Sequence, residues 1–288
     1  MNILSLFDGI SCGRVALDRA GVKVDNYFAS EIDEYAIKMS RFNHSDVQQI
    51  GNVLNLDTSV LPQIDLLMGG SPCQGFSFSG KGLAFDDPRS KLFFEFVDIL
   101  KKTKPKYFLL ENVRMKKEFL DVITEYLEVE PILINSSLVS AQSRQRYYWT
   151  NIPNVGPPED TCKDLLQDIL EESPSRKFLA GEKLRDNYQG GNQLNPTYKS
   201  QANRIHDIDK KSPTIMAGSH GYANGYVNQN GNIRKLTPIE CERLQTLPDN
   251  YTDGVSDTQR YKGLGNGWTV DVVAHIFRQM RGDGKNNS

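Results

Sequence analysis

Along the first half of the chain, short apolar blocks alternate with stretches whose apolar residues recur every three or four positions. Asn2 to Leu6 reads as a strand, the stretch with Gly9, Ser11 and Gly13 as a loop, and Arg14 to Ala20 as a helix. Val24 to Ser30 and Asp33 to Asn43 repeat that order, and Gln63 to Met68 is a third strand that ends in Gly69-Gly70. Leu92, Phe93, Phe96, Val97 and Leu100 have helical spacing within Ser90 to Lys102. Tyr107 to Leu110 and Lys116 to Leu127 give one more strand and helix, and Ser140 to Arg146 opens a further strand. Strand and helix in strict alternation predict an α/β fold, a parallel sheet covered on both faces. Ligands of such sheets sit beyond the carboxyl ends of the strands.

The pattern changes after Asn151. Pro153, Gly156, Pro157 and Pro158 mark a boundary. From there to about Asn232 the chain is rich in Gly, Asn, Ser and Tyr, which predicts a small, loop-rich second domain. Periodicity returns in Arg234 to Leu247, a helix with Thr237 as N-cap, Pro238 at its first position and Glu240 in its first turn. Thr269 to Met280 is a last helix. The expected organisation is a Rossmann-like catalytic domain over 1–152 and 260–281, a second domain over 153–232, a hinge over 233–259 and a disordered tail over 282–288.

Composition narrows the class. The chain has 288 residues, 38% of them hydrophobic and 24% charged, which suits a globular protein. Its apolar runs are strand-sized, too short for a bilayer, and MNILSLFDGI lacks the plan of a signal peptide. A cytoplasmic protein without a membrane partner is expected. Cys12, Cys73, Cys162 and Cys241 are scattered without a CxxC pair, so neither a metal site nor a redox motif is indicated. The net charge of −2 means that any nucleic-acid binding must come from local charge. The mixed segment Lys199 to Lys211 by itself reads as solvated surface.

Chemistry-bearing residues gather where the expected strands end. Phe7-Asp8-Gly9-Ile10-Ser11-Cys12-Gly13, between a strand and a helix, suits a loop that wraps an adenosine-type cofactor, and Glu31 at the end of the second strand suits ribose hydroxyls. An ordinary glycine turn fits the same residues equally well. Ser71-Pro72-Cys73-Gln74 brings a thiol to the same edge, where it is a candidate nucleophile or a structural cysteine. Glu111 closes the next strand. Arg144 and Arg146, two residues apart, are expected on one face of one strand.

Together the ordered segments GGSPCQGFSFSGKG, LLENV, VSAQSRQRYYW, RKLTPIECERLQTLPDNY and GLGNGWTVDVVAHIF resemble the cytosine-C5 DNA methyltransferase family from Ile3 to about Phe277. Two of these, VSAQSRQRYYW and GLGNGWTVDVVAHIF, resemble the vertebrate de novo enzymes most, whereas the compact length resembles bacterial or phage members. The resemblance implies S-adenosylmethionine as methyl donor, S-adenosylhomocysteine as product, no metal, and double-stranded DNA as partner. It implies that Cys73 attacks C6 of a flipped cytosine, that Glu111 binds N3 and the exocyclic amine, and that Arg144 holds the base carbonyl with Arg146 in reserve. By motif, the cofactor residues are Phe7, Asp8, Gly9, Ile10, Glu31, Ile32, Asn52, Val53, Pro72, Leu92, Asn266, Gly267 and Trp268. Ser79, Arg89 and Thr214 are the DNA-contact candidates, and residues 153–232 would read the target sequence.

Three departures from the family pattern stand out: the glycine-poor FDGISCG, Asn52 in place of an acidic residue, and Gln142 without a preceding Tyr-Gly-Ile-Pro. A monomer is expected, in a bacterial or phage-infected cell, with a companion restriction endonuclease compatible with this reading. Two alternatives stay open: a transfer-RNA cytosine methyltransferase and a non-catalytic DNA-binding relative.

Overall fold

The computed structural model describes residues 1–71, 88–181, 201–218 and 222–284. These divide into two compact units. The first comprises 1–135, 145–158 and the chain from Val272 onward, and the second 136–144 and 159–271. The expected hinge 233–259 lies wholly inside the second unit. The expected tail begins within a 3-10 turn, Gln279–Gly284, and its last four residues lie outside the described ones.

The first unit is a seven-stranded sheet. Its elements are β1 (Asn2–Leu6), α1 (Cys12–Ala20), β2 (Asn26–Ser30), α2 (Glu34–Asn43), β3 (Val47–Gln49), β4 (Leu66–Gly69), α3 (Pro88–Thr103), β5 (Tyr107–Val113), α4 (Lys117–Leu127), β6 (Ile132–Asn135) and β7 (Gln145–Thr150). The spatial order is β3-β2-β1-β4-β5-β7-β6. The first five strands in that order pair in parallel, and β7 runs antiparallel to both β5 and β6. β3 and β6 escaped the sequence reading because each is a short edge strand: β3 has little apolar pattern, and the apolar run of β6 is only Ile132 to Ile134. The second and third expected strands start late, at Asn26 and Leu66, since the residues before them are irregular chain with a bend at Asp25 and at Asp65.

Local chemistry explains the boundaries. α1 buries Cys12, Val15, Ala16, Leu17 and Ala20 on one face and stops at Gly21, whose φ of 67° is left-handed. Asp33 caps α2 by accepting from the N–H groups of Tyr35 and Ala36. The central strands bury nearly every residue, as both faces of a parallel sheet are covered. Phe93, Phe96 and Val97 of α3 pack with Leu4, Leu67, Leu110 and the fully buried Trp149 in one core.

The second unit holds a three-stranded sheet, β8 (Ile205–His206), β9 (Tyr226–Gln229) and β10 (Asn232–Lys235), and the helices α5 (Pro238–Leu244) and α6 (Asp257–Asn266). The helix expected over Arg234 to Leu247 is shorter. Arg234 belongs to β10, and the capping box of Thr237 and Glu240 starts the helix at Pro238. Arg234 turns its buried guanidinium onto Glu240 at 2.7 Å, so it serves as a side-chain support of that cap. α6 was missed because DTQRYKGLGN carries two glycines and no apolar stripe. The last helix, α7, spans Val270–Arg278. Among the described residues, no helix is long and apolar enough to cross a membrane.

Candidate active site

Register fixes which residues meet at the carboxyl edge of the sheet. Gly69 of β4 lies opposite Leu6 of β1 on one side and Leu110 of β5 on the other. Phe7-Asp8-Gly9 and Gly70-Ser71 therefore leave the sheet side by side, next to Glu111-Asn112, which continue β5 along β7. Gly69 has to be glycine: a Cβ there would lie 2.8 Å from the Leu6 carbonyl oxygen and 3.3 Å from the Phe96 ring.

The loop after β1 is tightly held. Phe7, Gly9 and Ser11 all take left-handed φ, at 56°, 59° and 60°. For Phe7 and Ser11 this conformation is unfavourable, and such strain persists only where the surroundings impose it. The Glu31 carboxylate accepts from the Gly9 N–H at 2.7 Å through one oxygen, and from the Ile32 and Asp33 N–H groups at 2.7 and 2.9 Å through the other. Asp8 accepts from the hydroxyls of Ser11 at 2.5 Å and Tyr27 at 2.6 Å, and Ser11 in turn meets Ser40 of α2 at 2.6 Å. Burial raises the Asp8 pKa above the ordinary carboxyl value, opposed by hydrogen bonds from Ser11, Ser5 and Tyr27 and reinforced by the nearby charge of Glu31. Tyr27 and Ser40, both fully buried, were not among the sequence candidates. The signal was weak: a hydroxyl in a buried strand and another on the buried face of a helix.

Beside this loop, Ile10 and Val53 are buried, while Ile32 is 69% exposed. Asn52 caps the short turn Val53–Asn55 and accepts from the Leu54 N–H at 3.0 Å. Leu92 is half-buried against the core. Asn266, exposed, with Gly267 and Trp268, belongs to the second unit. Pro72, Cys73 and Ser79 lie outside the described residues, as does the side chain of Arg89 in α3.

At the next strand end, Glu111 is buried and pairs with Arg146, Nε to Oε1, at 3.0 Å. The two are diagonal neighbours across β5 and β7, since Arg146 is opposite Val113 and Tyr148 is opposite Glu111. Asn112 aims its amide Nδ2 at Ser71, 3.4 Å from both the carbonyl and the hydroxyl oxygen. β5 thereby ties down the chain where it leaves β4.

The two arginines do not share one strand face, contrary to expectation. β7 starts at Gln145, so Arg144 precedes it and belongs to the second unit. Arg144 is buried and donates to the carbonyls of Ile215 at 3.1 Å, Gly265 at 3.1 Å and Gly267 at 2.9 Å. Arg146, the expected reserve, is the one beside Glu111. Thr214, in the second unit, donates its hydroxyl to the Ser143 carbonyl at 2.9 Å.

Residues 1–282 match the model of the C-5 cytosine-specific DNA methylases. The chain belongs to that family. It is a methyltransferase of cytosine C5 in DNA, and S-adenosylmethionine supplies the methyl group in this class. The chain is similar to the Type II methyltransferase M1.ScrFI of Lactococcus lactis subsp. cremoris, at 33% identity over 96% of this chain and 77% of that protein. It is similar to the Type II methyltransferase M.NlaX of Neisseria lactamica at 32% identity, over 97% of this chain and 96% of the relative. In three dimensions the methylase resembles the Entamoeba histolytica methyltransferase EhMeth, with a TM-score of 0.82 at 21% identity over 99% of both chains. That likeness supports the α/β methyltransferase fold.

Proposed function

We propose that this methylase flips a target cytosine out of duplex DNA and activates it through a covalent bond from Cys73. The observation that carries the reading is the Glu111–Arg146 pair, buried at the sheet edge where the chain after β4 passes through Ser71. Cytosine C5 is a poor nucleophile. Addition of the Cys73 thiolate to C6 makes C5 enamine-like. Glu111 meets N3 and the exocyclic amine and shares a proton with N3, giving it as C6 is attacked and taking it back when the C6–S bond breaks. Arg146 keeps the Glu111 carboxyl in place and faces the same base, a role assigned to it rather than to Arg144 because the Arg144 guanidinium already serves three backbone carbonyls. After methylation a base removes the C5 proton, the C6–S bond breaks and Cys73 returns as thiolate. The duplex must release the base first, because neither face of C6 is reachable within the stack.

The residues present fit S-adenosylmethionine. Glu31 has about four lone-pair sites and uses three on backbone N–H groups, leaving one on Oε2 for a ribose hydroxyl. The Asn52 oxygen, with one acceptor site used by Leu54, keeps another for an amino group. Ile32, whose N–H donates to Glu31, offers an exposed apolar side chain. The Phe7-Asp8-Gly9 backbone, left-handed at Phe7 and Gly9, would hold the remainder, with Leu92, Pro72, Asn266, Gly267 and Trp268 assigned by motif. The sulfonium supplies an electrophilic methyl group when bound; S-adenosylhomocysteine leaves as product, and no metal takes part.

Residues 153–232 are proposed to read the sequence, with Ser79, Arg89 and Thr214 on the DNA. The Type II names of M1.ScrFI and M.NlaX support a role beside a companion restriction endonuclease. Bisulfite sequencing of DNA from cells expressing the protein tests the reading. Converted cytosines should be protected at one recurring sequence, and Cys73→Ser should abolish that protection. Protection that persists in Cys73→Ser would assign the nucleophile elsewhere.

A further inference from the structure

Immediately beyond Glu111 the chain turns basic: Arg114, Lys116 and Lys117 occupy three of the four positions 114–117, and all are exposed. Their surroundings differ. Lys117 is paired with Asp121 one helical turn away, at 2.7 Å. Arg114 is held by a neutral group, donating from Nη1 to the Gln145 side-chain oxygen at 2.9 Å. Among the described residues it has no carboxylate partner. Its guanidinium is therefore oriented but not neutralised.

The register explains the orientation. Arg146 lies opposite Val113, so Gln145 lies next to Arg114 where β5 ends and β7 begins. One short stretch of β7 thus presents Arg146 to Glu111 and Gln145 to Arg114. Three residues of extended chain put Arg114 roughly 10 Å from Glu111 along the strand. A nucleotide whose base reaches Glu111 carries its phosphates over the same distance. What sets Arg114 apart from an ordinary exposed cation is that a neutral group orients it while no carboxylate among the described residues pairs with it, which suits it to an anionic partner at this strand end.

We propose that Arg114, oriented by Gln145, clamps a backbone phosphate of the DNA next to the flipped cytosine. The planar fork suits a phosphate: the N–H on Gln145 fixes the plane and the remaining donors can meet two phosphate oxygens. Such a contact positions the duplex without reading its sequence. The proposal rests on Glu111 being where the base arrives.

The test is equilibrium binding of the full-length protein to a duplex bearing the mapped target, followed by fluorescence anisotropy over a range of salt concentrations. Loss of one phosphate contact should lower the slope of log K against log salt by about 0.9 in Arg114→Ala. Affinity near 0.1 M salt should fall about tenfold, the scale of one charge-assisted hydrogen bond. Arg114→Lys should restore the slope but only part of the affinity, because a lysine keeps the charge without the fork. Lys23→Ala, which removes an exposed charge far along the chain, should leave slope and affinity as in wild type. A wild-type slope in Arg114→Ala, or an equal drop in Lys23→Ala, overturns the clamp. A wild-type protein that neither binds nor methylates the duplex overturns the active-site reading and the clamp with it; one that does both while Arg114→Ala matches it overturns the clamp alone.

Discussion

The Glu111–Arg146 pair should behave as one energetic unit, and its size can be worked from the geometry. The side chains are only 10% and 13% exposed and their charged atoms lie 3.0 Å apart. At an effective dielectric of about 20, Coulomb attraction over that distance is roughly 5 kcal/mol. Desolvation of two ions cancels much of it, so the net worth of the pair is small. Removing one partner is a different matter, since it leaves the other charge buried without this counter-ion, at about 3–5 kcal/mol in comparable cases. Arg146→Met should therefore destabilise the first unit by about 3 kcal/mol and Glu111→Gln by somewhat less. The double variant should cost well under the sum, with a coupling of about 1–3 kcal/mol.

Urea unfolding followed by tryptophan fluorescence reads this directly. Trp149 is fully buried in β7, three residues from Arg146, and the protein has only two tryptophans. Measured in a Trp268→Phe background, the signal reports the first unit alone. Additive costs within about 0.5 kcal/mol, or an Arg146→Met cost below 1 kcal/mol, would show that the two side chains are not energetically paired. Methyl transfer measured on the same variants should be lost in both singles and should not return in the double, because chemistry needs the carboxyl itself and not merely a balanced charge.

Other outcomes follow from single observations. Gly265→Ala should prevent folding of the second unit or shift it by several kcal/mol, because a Cβ there would lie 2.1 Å from the Ala217 backbone nitrogen, whereas Gly9→Ala, with open space around it and a φ of 59°, should cost only about 1–2 kcal/mol; circular dichroism melts compare them. Tyr27→Phe removes a hydroxyl from Asp8 and should raise the KM for S-adenosylmethionine several-fold while kcat changes little, which equilibrium dialysis checks independently. His206 is held below the ordinary imidazole value, first by burial, so the folded chain binds its proton less readily than the unfolded chain does. Its contribution to stability is thus lost as the pH falls through the ordinary value of 6.5 towards the lower folded one, and His206→Gln should flatten that part of the stability-versus-pH curve relative to wild type.

How much of this was legible in the sequence depended on whether local chemistry or distant pairing decided the outcome. The Thr237–Glu240 capping box, the buried strands around Leu67 and Leu109, and the glycine stop of α1 follow from neighbouring residues, and the sequence reading found the first two. The edge strands β3 and β6 are strands because β2 and β7 offer them partners; the residues of β3 carry no strand pattern, and the run Ile132 to Ile134 of β6 is too short to fix one alone. The same division runs through the site. Glu111 was visible as an acid at a strand end. Its partner was not, because which arginine reaches it depends on the register of β7 against β5 and on β7 starting at Gln145. Tyr27 and Ser40 were hidden for a related reason: a buried hydroxyl signals nothing until the carboxyl it serves is placed beside it.

The segment Gln142 to Arg144 shows why a motif match alone does not separate chemistry from support. Gln142, fully buried, donates to the Leu244 carbonyl at 3.1 Å and accepts from the Ile215 N–H at 2.8 Å. Gln245 donates to the carbonyls of Leu264 and Gly267 and accepts from the Thr269 hydroxyl at 2.9 Å. Arg144 adds its bonds to Ile215, Gly265 and Gly267, so these side chains satisfy carbonyls at the C-terminal ends of α5 and α6, which have no partner within their helices, and one in the irregular chain at Ile215. A charged donor suits that task, since one guanidinium carries five N–H groups in a rigid fork and can serve several carbonyls at once. A family can keep an arginine at this position for that reason without the residue ever touching a base. Where two motif arginines stand two residues apart, their hydrogen-bond partners tell them apart: Arg144 donates to three backbone carbonyls of the second unit, whereas Arg146, besides the Gln145 carbonyl, meets the Glu111 carboxylate in the first.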